Sequence, residues 1–149
     1  MNNSGKSNII ILILIPIFFI ISLIIIDTFV SYNQNKIYKK TTENIIREVM
    51  TNDKLVEEEY YDEIKRLYEL NNYETDNLVV DANSYLVKVD NEHSYFGIIS
   101  SLTNKSGENG KIKILGIEFN VKKSSKIFVR VEARYNYEDE LEIKFLEEE

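Results

Sequence analysis

The chain has 149 residues, no cysteine, a single His and a formal net charge of −7. Without thiols there is no disulfide, thiolate metal site or cysteine nucleophile. The acidic balance repels phosphate backbones, so nucleic acid is not an expected partner; plain solubility accounts for most of that charge, with an acidic face for a cationic partner as the sharper alternative.

Residues 1–8 form a short polar tail. Ile9 to Ile26 then runs without a charge, interrupted only by Pro16 and Ser22. As a helix it rises about 27 Å, close to the hydrocarbon thickness of a bilayer. A helix satisfies its own backbone in lipid, where Pro16 is also tolerated. Lys6 and Asn8 stop the run on one side and Asp27 on the other, with Phe29 and Tyr32 placed as interface anchors. The stretch Ile25-Ile26-Asp27-Thr28-Phe29-Val30-Ser31 offers no small-residue cleavage pattern, and the chain is too short to bury such a helix on all sides. The expectation is an uncleaved single-pass transmembrane helix over 9–26, with the lipid bilayer as its partner. Lys36, Lys39 and Lys40 on one flank and Lys6 on the other leave the charge count undecided. The position of the anchor favours export of the C-terminal part, hence a cell-membrane protein with an extracytoplasmic domain.

Residues 27–149 read as one α+β domain. Ile37, Thr41, Ile45 and Val49, with Ile46 and Met50 beside them, give a helix over about 32–50. No Gly or Pro separates it from the apolar run, so one helix continues out of the membrane as far as Thr51-Asn52-Asp53. A second helix is predicted over about 54–70, N-capped by Asp53, with Val56, Tyr60, Ile64 and Leu67 as its stripe. Glu57, Glu58 and Glu59 in its first turns and Lys65 and Arg66 in its last suit the helix dipole. The Glu triplet is also a conceivable metal cluster, but consecutive residues diverge around a helix, so capping is the better account. Asn71-Asn72 ends it.

The period then changes to two. Leu78 to Asp81 and Tyr85 to Val89 read as short strands, Asp90-Asn91-Glu92 as a turn, and Ser94 to Ile99 as a weak strand or short helix. Asn104 to Gly110 is a loop; Glu108 is its one acidic residue, which argues against calcium. A β-meander is expected over about 111–146: Lys111 to Lys122 with a bulge at Leu115-Gly116, Lys126 to Tyr137, then Leu141, Ile143 and Phe145. Lys123-Ser124-Ser125 and Glu138-Asp139-Glu140 connect these strands. Ile127, Val129, Val131, Ala133, Tyr135 and Tyr137 share one face of the middle strand, opposite Arg130, Glu132, Arg134 and Asn136. The two helices would cover the apolar face of this antiparallel sheet.

No catalytic motif is present, so no catalytic, cofactor-binding or metal-binding residue is assigned and no cofactor is expected. His93 after Asp90-Asn91-Glu92 suggests a His–carboxylate pair or a weak cation site, against the simpler reading of a polar turn. Tyr60, Tyr61, Tyr68, Tyr73, Tyr85, Tyr95, Tyr135 and Tyr137 concentrate in the domain. Tyr favours protein interfaces and equally sheet packing.

A short leader with Gly5, an apolar helix passing into an amphipathic one, and then an antiparallel sheet: this order resembles bacterial pilins and pseudopilins. Within them it looks most like the TadE-like minor pilins of tight-adherence pili. The likeness covers Met1 to Met50. In that family a Gly before the apolar run marks the prepilin peptidase cut, and a following Glu pairs with a neighbouring subunit's new N-terminus. Here Gly5 is suitably placed, Lys6-Ser7-Asn8 replaces the first apolar residues, and Ile10 occupies the position of the Glu. The resemblance implies a non-enzymatic, pilin-like assembly or accessory component that stays in the membrane and meets protein partners through its N-terminal helix. The rival reading is a membrane-tethered binding or sensing module unrelated to pili; an anchored enzyme ranks third.

Overall fold

A computed structural model describes residues 3–83, 86–95, 97–98, 111–114, 117–120 and 125–146. The chain is α+β and divides into two compact units, Met1–Asn33 with Phe96–Ser125, and Gln34–Tyr95 with Lys126–Glu149. Helix α1 (Asn3–Met50) is continuous, with Pro16 inside it. A 3-10 turn (Glu57–Glu59) leads into α2 (Tyr60–Leu70). Strands β1 (Val79–Asn83), β2 (Leu86–Tyr95), β5 (Ser125–Tyr135) and β6 (Leu141–Leu146) form a four-stranded sheet in the order β1-β2-β5-β6. Strands β3 (Lys111–Ile114) and β4 (Ile117–Asn120) pair separately.

In the first unit, the stretch of α1 from Ile9 is apolar all round and long enough to cross a membrane, and none of its most apolar window is buried. Leu12 is 75% exposed and Phe18 65%. A helix with no polar face leaves its side chains no partner but lipid or other helices. Ser22 Oγ donates to the Phe18 carbonyl and Thr28 Oγ1 to the Ile24 carbonyl, each at 2.8 Å, so these hydroxyls are satisfied within the helix. Gly97 lies against Asp27 so closely that a Cβ there would strike the carboxylate. Leu115-Gly116, expected as a bulge, lies outside the described residues; on either side of it Ile114 is paired with Ile117, and β3 and β4 run antiparallel. The expected meander therefore splits between two sheets, β3 pairing with β4 and β5 with β6. Asn104 to Gly110, Lys123-Ser124 and Tyr85 lie outside the described residues.

In the second unit, the core-facing stripe of α1 is Tyr38, Thr42, Ile45, Ile46 and Val49, all buried. Ile37, expected in that stripe, is 53% exposed, and Thr41 is half-buried. The face is rotated towards Tyr38, whose ring packs against Tyr68 of α2, and towards Thr42, whose hydroxyl shares a hydrogen bond with Tyr68. Met50 closes the helix; Thr51 Oγ1 donates to the Arg47 carbonyl at 2.7 Å. Asp53 does not cap the second helix. The entry is later: the Val56 N–H reaches the Glu59 carboxylate at 3.2 Å, and the Glu triplet occupies the 3-10 turn before α2. Val56 is exposed, and Ile64, Leu67 and Tyr68 are the buried residues of α2. Lys65 and Arg66 stand inside the helix, Arg66 bridging back to Glu63 at 2.6 Å. Asn72 ends α2 in the left-handed region, φ 60°. The Tyr73 N–H bonds the Tyr68 carbonyl at 3.1 Å and the Asn72 N–H bonds Glu69 at 3.0 Å, a Schellman closure.

Asp90-Asn91-Glu92, read as a turn, is the middle of β2. Asp90 and Glu92 belong to the outer face of a sheet, and Asn91 between them is buried on the other. Lys88 pairs with Glu132 at 3.6 Å, Asp90 with Arg130 at 2.7 Å, and Glu92 with Lys126. The pairs descend β5 as they ascend β2, as antiparallel neighbours require. Ser94 and Tyr95 complete β2 rather than starting another element. Val87, Val89, Ile127, Val129, Val131 and Ala133 are buried on the opposite face. Each Val or Ile among these contributes about 1.5–3 kcal/mol of burial. Tyr137 has left the strand for the turn before β6 and is fully exposed.

Candidate functional site

Two places in the second unit concentrate polar side chains beside apolar ones. The first is interior. Tyr38 from α1, Tyr68 from α2, Tyr73 from the turn after α2 and His93 from β2 form one aromatic cluster. Tyr73 and His93 lie edge to face with centroids 4.5 Å apart, and Tyr38 and Tyr73 are 4.9 Å apart. Thr42 and the Tyr68 hydroxyl share a buried hydrogen bond of 2.7 Å. Burial pushes the Tyr68 phenol up to about 12 against the opposing pull of Thr42 and Asn91, and raises Tyr38 further still. Burial lowers His93, and the nearby Glu74 carboxylate only partly offsets this. The imidazole is thus held neutral at pH 7. The Tyr38 hydroxyl, Asn91 Nδ2 and His93 Nδ1 have no hydrogen-bond partner among the described residues. Phenols raised this far are not bases at neutral pH. The cluster's chemistry is that of a polar core joining two helices to a sheet.

The second place is a cavity of about 410 Å³, open to solvent, lined by Asn35 and Lys39 of α1, Glu92 of β2, Lys126, Phe128, Val129 and Arg130 of β5, and Phe145 and Leu146 of β6. Lys39 Nζ sits 5.8 Å from the Phe145 ring centroid, and the Arg130 guanidinium the same distance from Phe128. Arg130 is held in place by both Asp90 oxygens, at 2.7 and 2.9 Å. Asn35 Oδ1 is buried without a hydrogen-bond partner among the described residues.

The residues considered from sequence fall differently. His93 and Glu92 are sequence neighbours on opposite faces of β2: His93 enters the tyrosine cluster, Glu92 turns to Lys126. Glu57, Glu58 and Glu59 stay at the start of α2. Among the described residues no three carboxylate or imidazole groups converge. Of the tyrosines, Tyr68 and Tyr95 are buried, Tyr61 and Tyr137 exposed. The cavity itself was not anticipated. Its one legible sign was Phe128, an aromatic residue on the otherwise charged side of β5.

No protein-family model, curated protein or solved structure matches the chain.

Proposed function

We propose that this protein is a non-enzymatic, single-pass membrane component of a pilus-like or secretion assembly, with its sheet domain outside the cytoplasm. The observation that carries this reading is α1. It is one helix from Asn3 to Met50, in which Ile9 to Ile26 is uncharged, apolar but for Ser22, and unburied, while the turns from Tyr38 to Met50 belong to the core of an α+β unit. A helix of that kind packs laterally against others in a bilayer while carrying its domain with it. The pilin-like order of elements, and within it the TadE-like resemblance of Met1 to Met50, supports the same reading. With Ile10 in place of the family's Glu, assembly rests on apolar packing along Ile9 to Ile26 and on the exposed side of the following helix.

The test replaces Ile9 to Ile26 with an unrelated single-span helix of equal length. Loss of crosslinked partners, with the protein still folded and membrane-bound, is the expected result. Unchanged partner recovery would reduce the anchor to a tether and overturn the proposal. The second reading is a tethered binding module, and the solvent-open cavity lined by Asn35, Lys39 and Phe145 favours it.

A further inference from the structure

We infer that the cavity between α1 and the β5–β6 end of the sheet is a recognition site for an acidic peptide segment of a partner protein. The segment would present a carboxylate beside an apolar or aromatic side chain. The inference goes beyond the anchor-mediated assembly proposed above and does not depend on it.

Charge is the first argument. On a chain of net charge −7, three of the lining residues, Lys39, Lys126 and Arg130, are cationic and only Glu92 is anionic. Lys126 and Arg130 are engaged by Glu92 and Asp90, which fixes their positions across the β2–β5 pair. Lys39 makes no ion pair among the described residues and is steered towards the cavity by the Phe145 ring. It is the cation placed to receive a carboxylate.

The second argument is the pattern of acceptors. Asn35 Oδ1 is buried without a donor among the described residues, and the Glu92 carboxylate also lines the cavity. A buried acceptor left unsatisfied carries an uncompensated desolvation cost, which an incoming donor removes. A ligand suited to the whole lining therefore brings a carboxylate for Lys39, N–H donors for Asn35 and Glu92, and apolar surface for Phe128, Phe145 and Leu146. A peptide backbone next to a Glu or Asp side chain has all three. Inorganic phosphate and a phospholipid headgroup phosphate offer no N–H donor and no ring-sized apolar body, and the Glu92 carboxylate opposes a dianion. The volume of about 410 Å³ accommodates one or two side chains with their backbone.

The experiment uses the full chain in detergent micelles, with NMR shifts and calorimetry as readouts. The probe is the synthetic peptide acetyl-Glu-Phe-Glu-Phe-amide, compared with its Gln-for-Glu counterpart, with inorganic phosphate, and with vesicles containing phosphatidylglycerol. The expected result is saturable binding of the acidic peptide, with shifts centred on Lys39, Phe128 and Phe145. The Gln peptide and phosphate should bind at least tenfold more weakly. Lys39→Glu should weaken the acidic peptide at least tenfold, and Asn35→Ala severalfold; Lys39→Ala serves if Lys39→Glu does not fold. Equal binding of the Gln peptide, tighter binding of phosphate or of the anionic vesicles, or no effect of Lys39 substitution would overturn the assignment. The anchor exchange leaves every cavity residue in place, so failure of either proposal is visible without the other.

Discussion

The Tyr135 hydroxyl donates a hydrogen bond of 2.5 Å to the carbonyl of Met50, joining the last residue of β5 to the last residue of α1. A helix leaves its final carbonyls without intrahelical donors. Here a strand far along the chain supplies one, so the sheet closes the end of the helix that carries the apolar segment.

Tyr135→Phe should therefore destabilise the second unit by about 1 kcal/mol, the net value of one hydrogen bond to a partly exposed group. The effect should appear as earlier loss of sheet signal in denaturant, and as faster amide exchange over the last turn of α1. Unchanged exchange there would mean that the bond does not restrain the helix end.

Val131 is 0% exposed on the apolar face of β5, and Arg130 beside it points to the charged face, paired with Asp90. Val131→Asp buries a carboxylate without a partner and should unfold the unit, a cost of several kcal/mol. Arg130→Asp loses an exposed ion pair and opposes two carboxylates, about 1 kcal/mol. Circular dichroism melts of the two variants decide it; equal midpoints would contradict the assignment of faces.

The elements written in runs were legible, and those written in interruptions were not. Continuity of α1 followed from the lack of any Gly or Pro between Ile26 and Met50, and the faces of β5 from the alternation Ile127, Val129, Val131, Ala133. Asp90-Asn91-Glu92 was misread because consecutive polar residues are a turn signal locally. Only the pairing of β2 with β5 supplies Arg130 and Lys126 as partners and lets Asn91 be buried. The run Lys111 to Lys122 reads locally as one strand, and only the pairing of Ile112 with Phe119 and of Ile114 with Ile117 divides it into β3 and β4. The cavity was invisible for a further reason. Its lining comes from α1, β2, β5 and β6, and no local pattern joins Lys39 to Phe145.

Membrane association should be integral. The apolar stretch of α1 is exposed on all sides, and the hydroxyls of Ser22 and Thr28 are satisfied within the helix, as a lipid environment demands. The full chain should stay in the pellet after an alkaline carbonate wash. A variant lacking residues 1–32 should be recovered in the supernatant with its sheet signal retained. Full-length protein in the carbonate supernatant would remove the anchor from the account.

The final prediction concerns pH. His93 is the only histidine in the chain, so its titration can be read without ambiguity. Its imidazole packs against Tyr38 and Tyr73, and burial holds its pKa below the ordinary value of 6.5, with Glu74 opposing. On acidification the unfolded chain takes up this proton before the folded one does. The stability that neutral His93 confers is therefore complete above pH about 6.5. It falls as the pH drops through that value towards the lowered folded-state pKa, at no more than about 1.4 kcal/mol per pH unit. Chemical denaturation between pH 7.5 and 5 should show this decline, and the imidazole C–H resonances should titrate below 6.5 in the folded protein. His93→Phe keeps an aromatic ring against Tyr73 and removes the proton site, so it should flatten the decline over the same range. An equally steep decline in that variant would assign the pH dependence to groups other than His93. A folded-state His93 titrating above 6.5 would show that the tyrosine cluster stabilises the imidazolium rather than excluding it.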